Sequence, residues 1–153
     1  MLFQSQLNVL EANHPDQLAR YEDAVGGFTG NSAAGLFSSG AFGRVLQDGG
    51  DGTAELRYLE TVELNARQMM RGTEWTWRTQ RPSLHLDYDP ILDDLDHLWL
   101  GAVSAEAPGS TPQMRARVNA MRSRGWAVAD RRLAQYRRLA DERGALLVVS
   151  GDH

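Results

Sequence analysis

The sequence contains no cysteine and no lysine. The first absence rules out disulfides, thiolate metal ligands and a thiol nucleophile. The second rules out a Schiff-base amine and the lysine of a phosphate-binding loop. No run of 18 apolar residues occurs, so no membrane-spanning helix is expected. The opening stretch, MLFQSQLNVLEANH, lacks the basic start and long apolar run of a secretory leader. Those absences leave the cytoplasm, or a particle assembled there, as the expected location. No motif calls for a cofactor or a metal, so none is expected.

What remains is ordinary in bulk and uneven in detail. The chain has 153 residues, of which 42% are apolar and 24% charged. That is one globular domain, 1–153, large enough to bury a core without staples. All 16 basic residues are arginine. Arginine is suited to planar, bidentate anion recognition, although GC-rich coding produces the same bias. Residues 113–143 hold nine arginines against three acids, a net of +6, and the rest holds seven against seventeen, a net of −10. The overall charge of −4 hides that split.

Helix signals recur along the chain. Residues 2–12 and 16–25 read as short helices around His14-Pro15, with Gly26 as the stop of the second. A long helix over 53–71 has Asp51 or Thr53 as cap and Gly72 as stop. Its apolar stripe is Leu56, Leu59, Val62, Ala66, Met69 and Met70. Asp89-Pro90 starts another helix with Ile91, Leu92, Leu95, Leu98 and Trp99 inward, ending at Gly101. The last helix, 112–143, is capped by Thr111. Its inward positions read as Met114, Val118, Met121, Gly125, Ala129, Leu133, Tyr136 and Ala140. This seam passes Gly125 without a phase break, so one continuous helix is as compatible as two.

Two segments read as strand. In Thr73–Asp89 the alternation of Trp75, Trp77 and Thr79, then of Leu84, Leu86 and Tyr88, predicts an antiparallel β-hairpin. Its expected register sets Trp77 opposite Tyr88 and Arg78 opposite Asp87, with a loop at Arg81-Pro82-Ser83-Leu84. Ala145–Ser150 (ALLVVS) reads as a buried strand whose partner in the chain would be that hairpin. The expected fold is therefore α+β and helix-dominated: long helices packed with a small antiparallel β-hairpin and a C-terminal strand.

Three constellations invite function. His85, Asp87, Asp89, Asp93, Asp94, Asp96 and His97 offer oxygen and imidazole ligands for a divalent cation. Arg78 across the ladder, capping and the helix dipole already explain most of those carboxylates. Arg117, Arg124, Arg131 and Arg138, spaced by seven, form one exposed ridge able to contact phosphates or an acidic protein surface. With only Trp126 and Tyr136 as aromatics on that helix, base stacking has little support. The third is the segment 26–52, an extended loop that holds nine of the fifteen glycines together with Phe28, Phe37 and Phe42. A loop that long is functional or packed against something. It carries no phosphate-loop motif, and Gly30-Asn31-Ser32-Ala33-Ala34-Gly35 is one residue too long for a nucleophile elbow.

No catalytic set emerges. The expected function is a non-enzymatic assembly protein that associates with itself or a larger complex through Phe28, Phe37, Phe42 and the arginine ridge. A viral or phage particle component is one class that fits. The alternatives are an anion- or nucleic-acid-binding module using the ridge, and a divalent-metal enzyme at the Asp/His cluster.

Overall fold

The computed structural model describes residues 14–27 and 33–151. The helix expected over 2–12, Phe28 and half of the Gly30–Gly35 stretch lie outside them. Among the described residues five α-helices run in chain order: α1 Pro15–Val25, α2 Ala33–Ser38, α3 Thr53–Trp75, α4 Ile91–Trp99 and α5 Pro112–Arg143. Helices α3, α4 and α5 pack together, with α1 and α2 laid against α3.

Most ends follow from local chemistry. Pro15 opens α1, and Gly26 closes it at φ +92°. The Asp51 carboxylate accepts from the Thr53 N–H at 2.9 Å, which holds that carboxyl below its ordinary pKa at the head of α3. Asp89 accepts from the Ile91 N–H at 3.0 Å as α4 begins. Thr111 accepts from the Met114 N–H at 3.1 Å, and Pro112 follows it. Gly144, left-handed at φ +63°, ends α5 while the Ala145 N–H returns to the Ala140 carbonyl at 2.9 Å.

The core is aromatic at its centre. Phe37 meets Tyr58 at 5.3 Å between ring centroids, and Tyr58 meets Trp99 edge-on at 5.7 Å. Leu59, Leu95 and Val118 are fully buried around them. Each such aliphatic side chain contributes ~1.5–3 kcal/mol. The 26–52 segment is thereby structured in its described part: α2 and a single 3-10 turn at Leu46–Asp48 wrap the head of α3. Buried Glu55 ties the wrap down by accepting from the Leu46 N–H at 2.7 Å.

The β elements are absent among the described residues. Instead of turning into a hairpin, α3 continues past Gly72 and widens into a π-type turn over Thr76–Gln80. The residues that alternate in period two also satisfy i, i+4 spacing. Arg78 donates to Glu74 at 2.9 Å, and the Thr79 hydroxyl to the Trp75 carbonyl at 2.6 Å. Trp75 packs edge-on to Tyr21, and the Arg143 guanidinium sits 4.5 Å above Trp77. The helix thus uses every side chain that the hairpin would have spread over two faces. Arg81, at φ +48°, breaks it. The expected pairs dissolve accordingly: Trp77 faces His85, and Arg78 pairs with Glu74 and Glu142.

The C-terminal strand is also corrected. Residues 145–151 have no regular secondary structure and are exposed. With no hairpin there is no edge for them to join.

Candidate functional site

The most organised polar site joins α3, α5 and the extended strip 84–89. It is built on a misplaced-looking arginine. From Met114 the buried positions of α5 run Val118, Met121, Gly125, Val128, Arg132, Gln135 and Leu139. Those steps alternate four and three, a heptad seam. The seam agrees with the sequence expectation as far as Gly125. Beyond it the expectation follows apolar residues to Ala129, Leu133, Tyr136 and Ala140. The helix keeps its period instead, burying Arg132, Gln135 and Leu139 and leaving Leu133 exposed; of the expected positions Ala140 is buried and Ala129 packs partly against the core. Heptad spacing alone would have found both polar residues.

Arg132 is fully buried. Its Nε lies 3.3 Å from Asp89, and a second nitrogen lies 3.8 Å from Asp87. It also donates to the Tyr136 hydroxyl and rests against Met69. Asp87 gathers the rest: Thr73 donates to it at 2.6 Å and Tyr136 at 2.9 Å, while His85 Nε2 is 3.6 Å away. Burial pushes the Tyr136 hydroxyl up to about 12; Arg132 pulls against that shift and Asp87 adds to it. Tyr136 therefore remains a proton donor at neutral pH.

Beside this network lies a cleft of about 240 Å³ lined by Tyr21, Gln68, Gly72, Thr73, His85 and Asp87. The Asp87 oxygen that Thr73 and Tyr136 share is already saturated by them. On the cleft the Thr73 hydroxyl gives its proton to Asp87. The arrangement holds charge and fastens the strip.

The Asp/His cluster is dispersed among other partners. Asp87 and Asp89 face Arg132, Asp96 binds Arg122 at 2.7 Å, and Asp93 meets His97 at 3.0 Å on the outer surface of α4. Among the described residues no three such side chains converge as metal ligands would.

The arginine ridge is exposed, as expected, yet turned toward its own chain. Arg124 holds Glu63 by two bonds of 2.6 and 2.8 Å, and those bonds keep the Glu63 carboxyl below its ordinary pKa. Arg138 pairs with Glu142 at 2.7 Å and Glu74 at 3.4 Å, and Arg117 donates to the Asp51 carbonyl. Arg131 adds to the positive field at Glu63. Of the phenylalanines, Phe37 is buried in its own core and Phe42 packs partly against it.

Two surfaces expose apolar side chains. In the strip 84–88, His85 and Asp87 turn to the polar network while Leu84, Leu86 and Tyr88 are exposed. Leu84 is 72% and Leu86 84% exposed. The tail beyond Gly144 has Leu146 at 89%, Val148 at 76% and Val149 at 68%. No helix among the described residues is long and apolar enough to cross a membrane. No protein-family model, curated protein or solved structure matches this chain.

Proposed function

We propose that this chain is a non-catalytic assembly component whose copies associate with one another. The observation that carries this reading is the tail. Residues 145–151 leave a well-capped helix without regular secondary structure and without a charged residue, and present Leu146, Val148 and Val149 to solvent. Each of those side chains gains ~1.5–3 kcal/mol when a partner covers it. Past Ala145 the tail's backbone groups form no backbone–backbone hydrogen bond among the described residues. An apolar segment whose backbone is free of such bonds is suited to pairing between chains. The saturated Asp87 network and the internally paired ridge support a non-catalytic role.

The test is the mass of the full-length chain by sedimentation at tens of micromolar. The wild type is expected to be oligomeric. Leu146→Asp/Val148→Asp is expected to be monomeric with an unchanged helical circular dichroism spectrum. A monodisperse wild-type monomer overturns the reading.

A further inference from the structure

The cleft between α1, the end of α3 and the strip 84–88 has a size, a lining and a charge that together select a ligand. We propose that it binds a small organic cation, a primary ammonium on a short apolar stem. The Tyr21 and Thr76 hydroxyls and the Asp87 carboxylate hold the ammonium, and the stem lies against Met69 and Leu86. This goes beyond self-association and does not rest on it.

Size comes first. A cavity of ~150 Å³ holds one benzene, so a cleft of about 240 Å³ takes a ligand of about ten non-hydrogen atoms. That is below the ~300–1,000 Å³ of sites for larger ligands, which excludes a nucleotide. The wall is built on a glycine. A Cβ on Gly72 would collide with the Tyr21 hydroxyl, so only hydrogen at that position lets the phenol rest against α3. Trp75 fixes the same ring from its other side, edge-on at 5.3 Å. A glycine inside a helix is a net loss of stability, and here the space it opens is taken by a hydroxyl aimed at the cleft's edge.

The lining offers acceptors that are still unused. Among the described residues the Tyr21 and Thr76 hydroxyls form no hydrogen bond. The Asp87 oxygen that Thr73 and Tyr136 do not share accepts from the Tyr88 N–H at 2.9 Å and keeps a lone pair. An ammonium has three N–H donors, one for each of these groups. Charge then sets the sign of the ligand. Asp87 and Asp89 face the single guanidinium of Arg132, so the clamp carries an excess negative charge. His85 on the wall offsets it only when protonated. The excess is felt on the cleft side. At the Tyr136 hydroxyl Arg132 opposes Asp87, whereas at Tyr21 burial and then Asp87 raise the hydroxyl with no opposing cation among the described residues. An anion is repelled there, and a neutral ligand gains nothing from the charge.

The test is an NMR titration of the isotope-labelled full-length chain with phenethylamine, set against phenethyl alcohol and phenylacetate as neutral and anionic ligands of similar size. The amine is expected to give saturable amide shifts confined to residues 72–76 and 84–88, with a Kd of about a millimolar. The alcohol should bind about tenfold more weakly, because hydrogen bonds from a charged donor are the stronger ones, and phenylacetate should give no saturable shift. Thr76→Val and Tyr21→Phe each remove one acceptor without touching the clamp. Each should weaken the amine about tenfold while the helical circular dichroism spectrum stays as in the wild type. Equal affinity for amine and alcohol overturns the cation site. So does saturable binding of phenylacetate, or amine shifts that fail to saturate or fall elsewhere. Wild-type affinity in both variants overturns the assignment of the acceptors. The chain has no lysine of its own to offer the cleft. N-acetyl-lysine methyl amide in the same titration therefore identifies the source: binding tighter than phenethylamine assigns the ammonium to a lysine of another protein, and weaker binding assigns it to a free amine. None of these results depends on the sedimenting mass, so the site and the self-association fail separately.

Discussion

Arg132 sits where a heptad seam calls for an aliphatic side chain, and its burial is tolerable only because two carboxylates and a hydroxyl come to meet it. Breaking a buried ion pair from one side leaves the other side uncompensated, at ~3–5 kcal/mol. Asp87 and Asp89 retain part of their hydration. Arg132→Met should therefore cost about 3 kcal/mol, the lower end of that range. Arg132→Met/Asp87→Asn/Asp89→Asn should recover much of the loss, because the stranded charges are gone. Urea unfolding midpoints of the wild type and both variants measure this; a wild-type midpoint for Arg132→Met would mean that the clamp contributes nothing, and equal midpoints for the two variants would mean that stranded charge is not the cost. From the sequence this site was half legible. His85, Asp87 and Asp89 were correctly set on one face of an extended segment. Their partner was hidden because an arginine amid exposed arginines gives no sign of burial except its phase on the helix.

At the scale of elements, glycine decides how closely helices approach. A Cβ on Gly125 would collide with the Leu95 side chain of α4, so the α4–α5 contact depends on hydrogen at that position. Alanine there gains up to ~1 kcal/mol of helix propensity but loses ~1–3 kcal/mol to overpacking. Gly125→Ala should lower the thermal midpoint. Leu95→Ala should cost less in the Gly125→Ala background than in the wild type, since it removes the collision. Additive effects in calorimetry would rule out the close approach. Helix existence was legible wherever a cap, a stop and a 3.6-residue stripe agreed, as in α1, α3, α4 and α5. The failure at Thr73–Gln80 has a physical cause. Trp75, Trp77 and Thr79 alternate as in a strand, but Glu74–Arg78 and Trp75–Thr79 are also helical neighbours, and the helix already running from Thr53 needs no new nucleus. The strand read into Ala145–Ser150 is absent among the described residues and the tail is exposed rather than buried, because the hairpin that was to pair with it is helix instead.

For the whole molecule, the split between a basic α5 and an acidic remainder is largely spent inside the chain. Arg124–Glu63 and Arg138–Glu74 tie α5 to α3, and Arg122–Asp96 ties it to α4. The proposed association, in contrast, runs through an uncharged tail. Salt separates the two. Exposed or half-exposed pairs contribute ~0–1 kcal/mol each and weaken as the screening length falls from ~10 Å at 0.1 M toward ~3 Å at 1 M. Three such pairs put the expected loss at ~1–2 kcal/mol, or a fall of ~2–8 °C in Tm for a domain of this size. The oligomer should persist over the same range, because apolar burial and backbone pairing are insensitive to screening. Parallel melting and sedimentation across a sodium chloride series check both halves. If the oligomer dissolves in salt while Tm holds, association runs through the arginine ridge, and the tail is displaced as the contact surface.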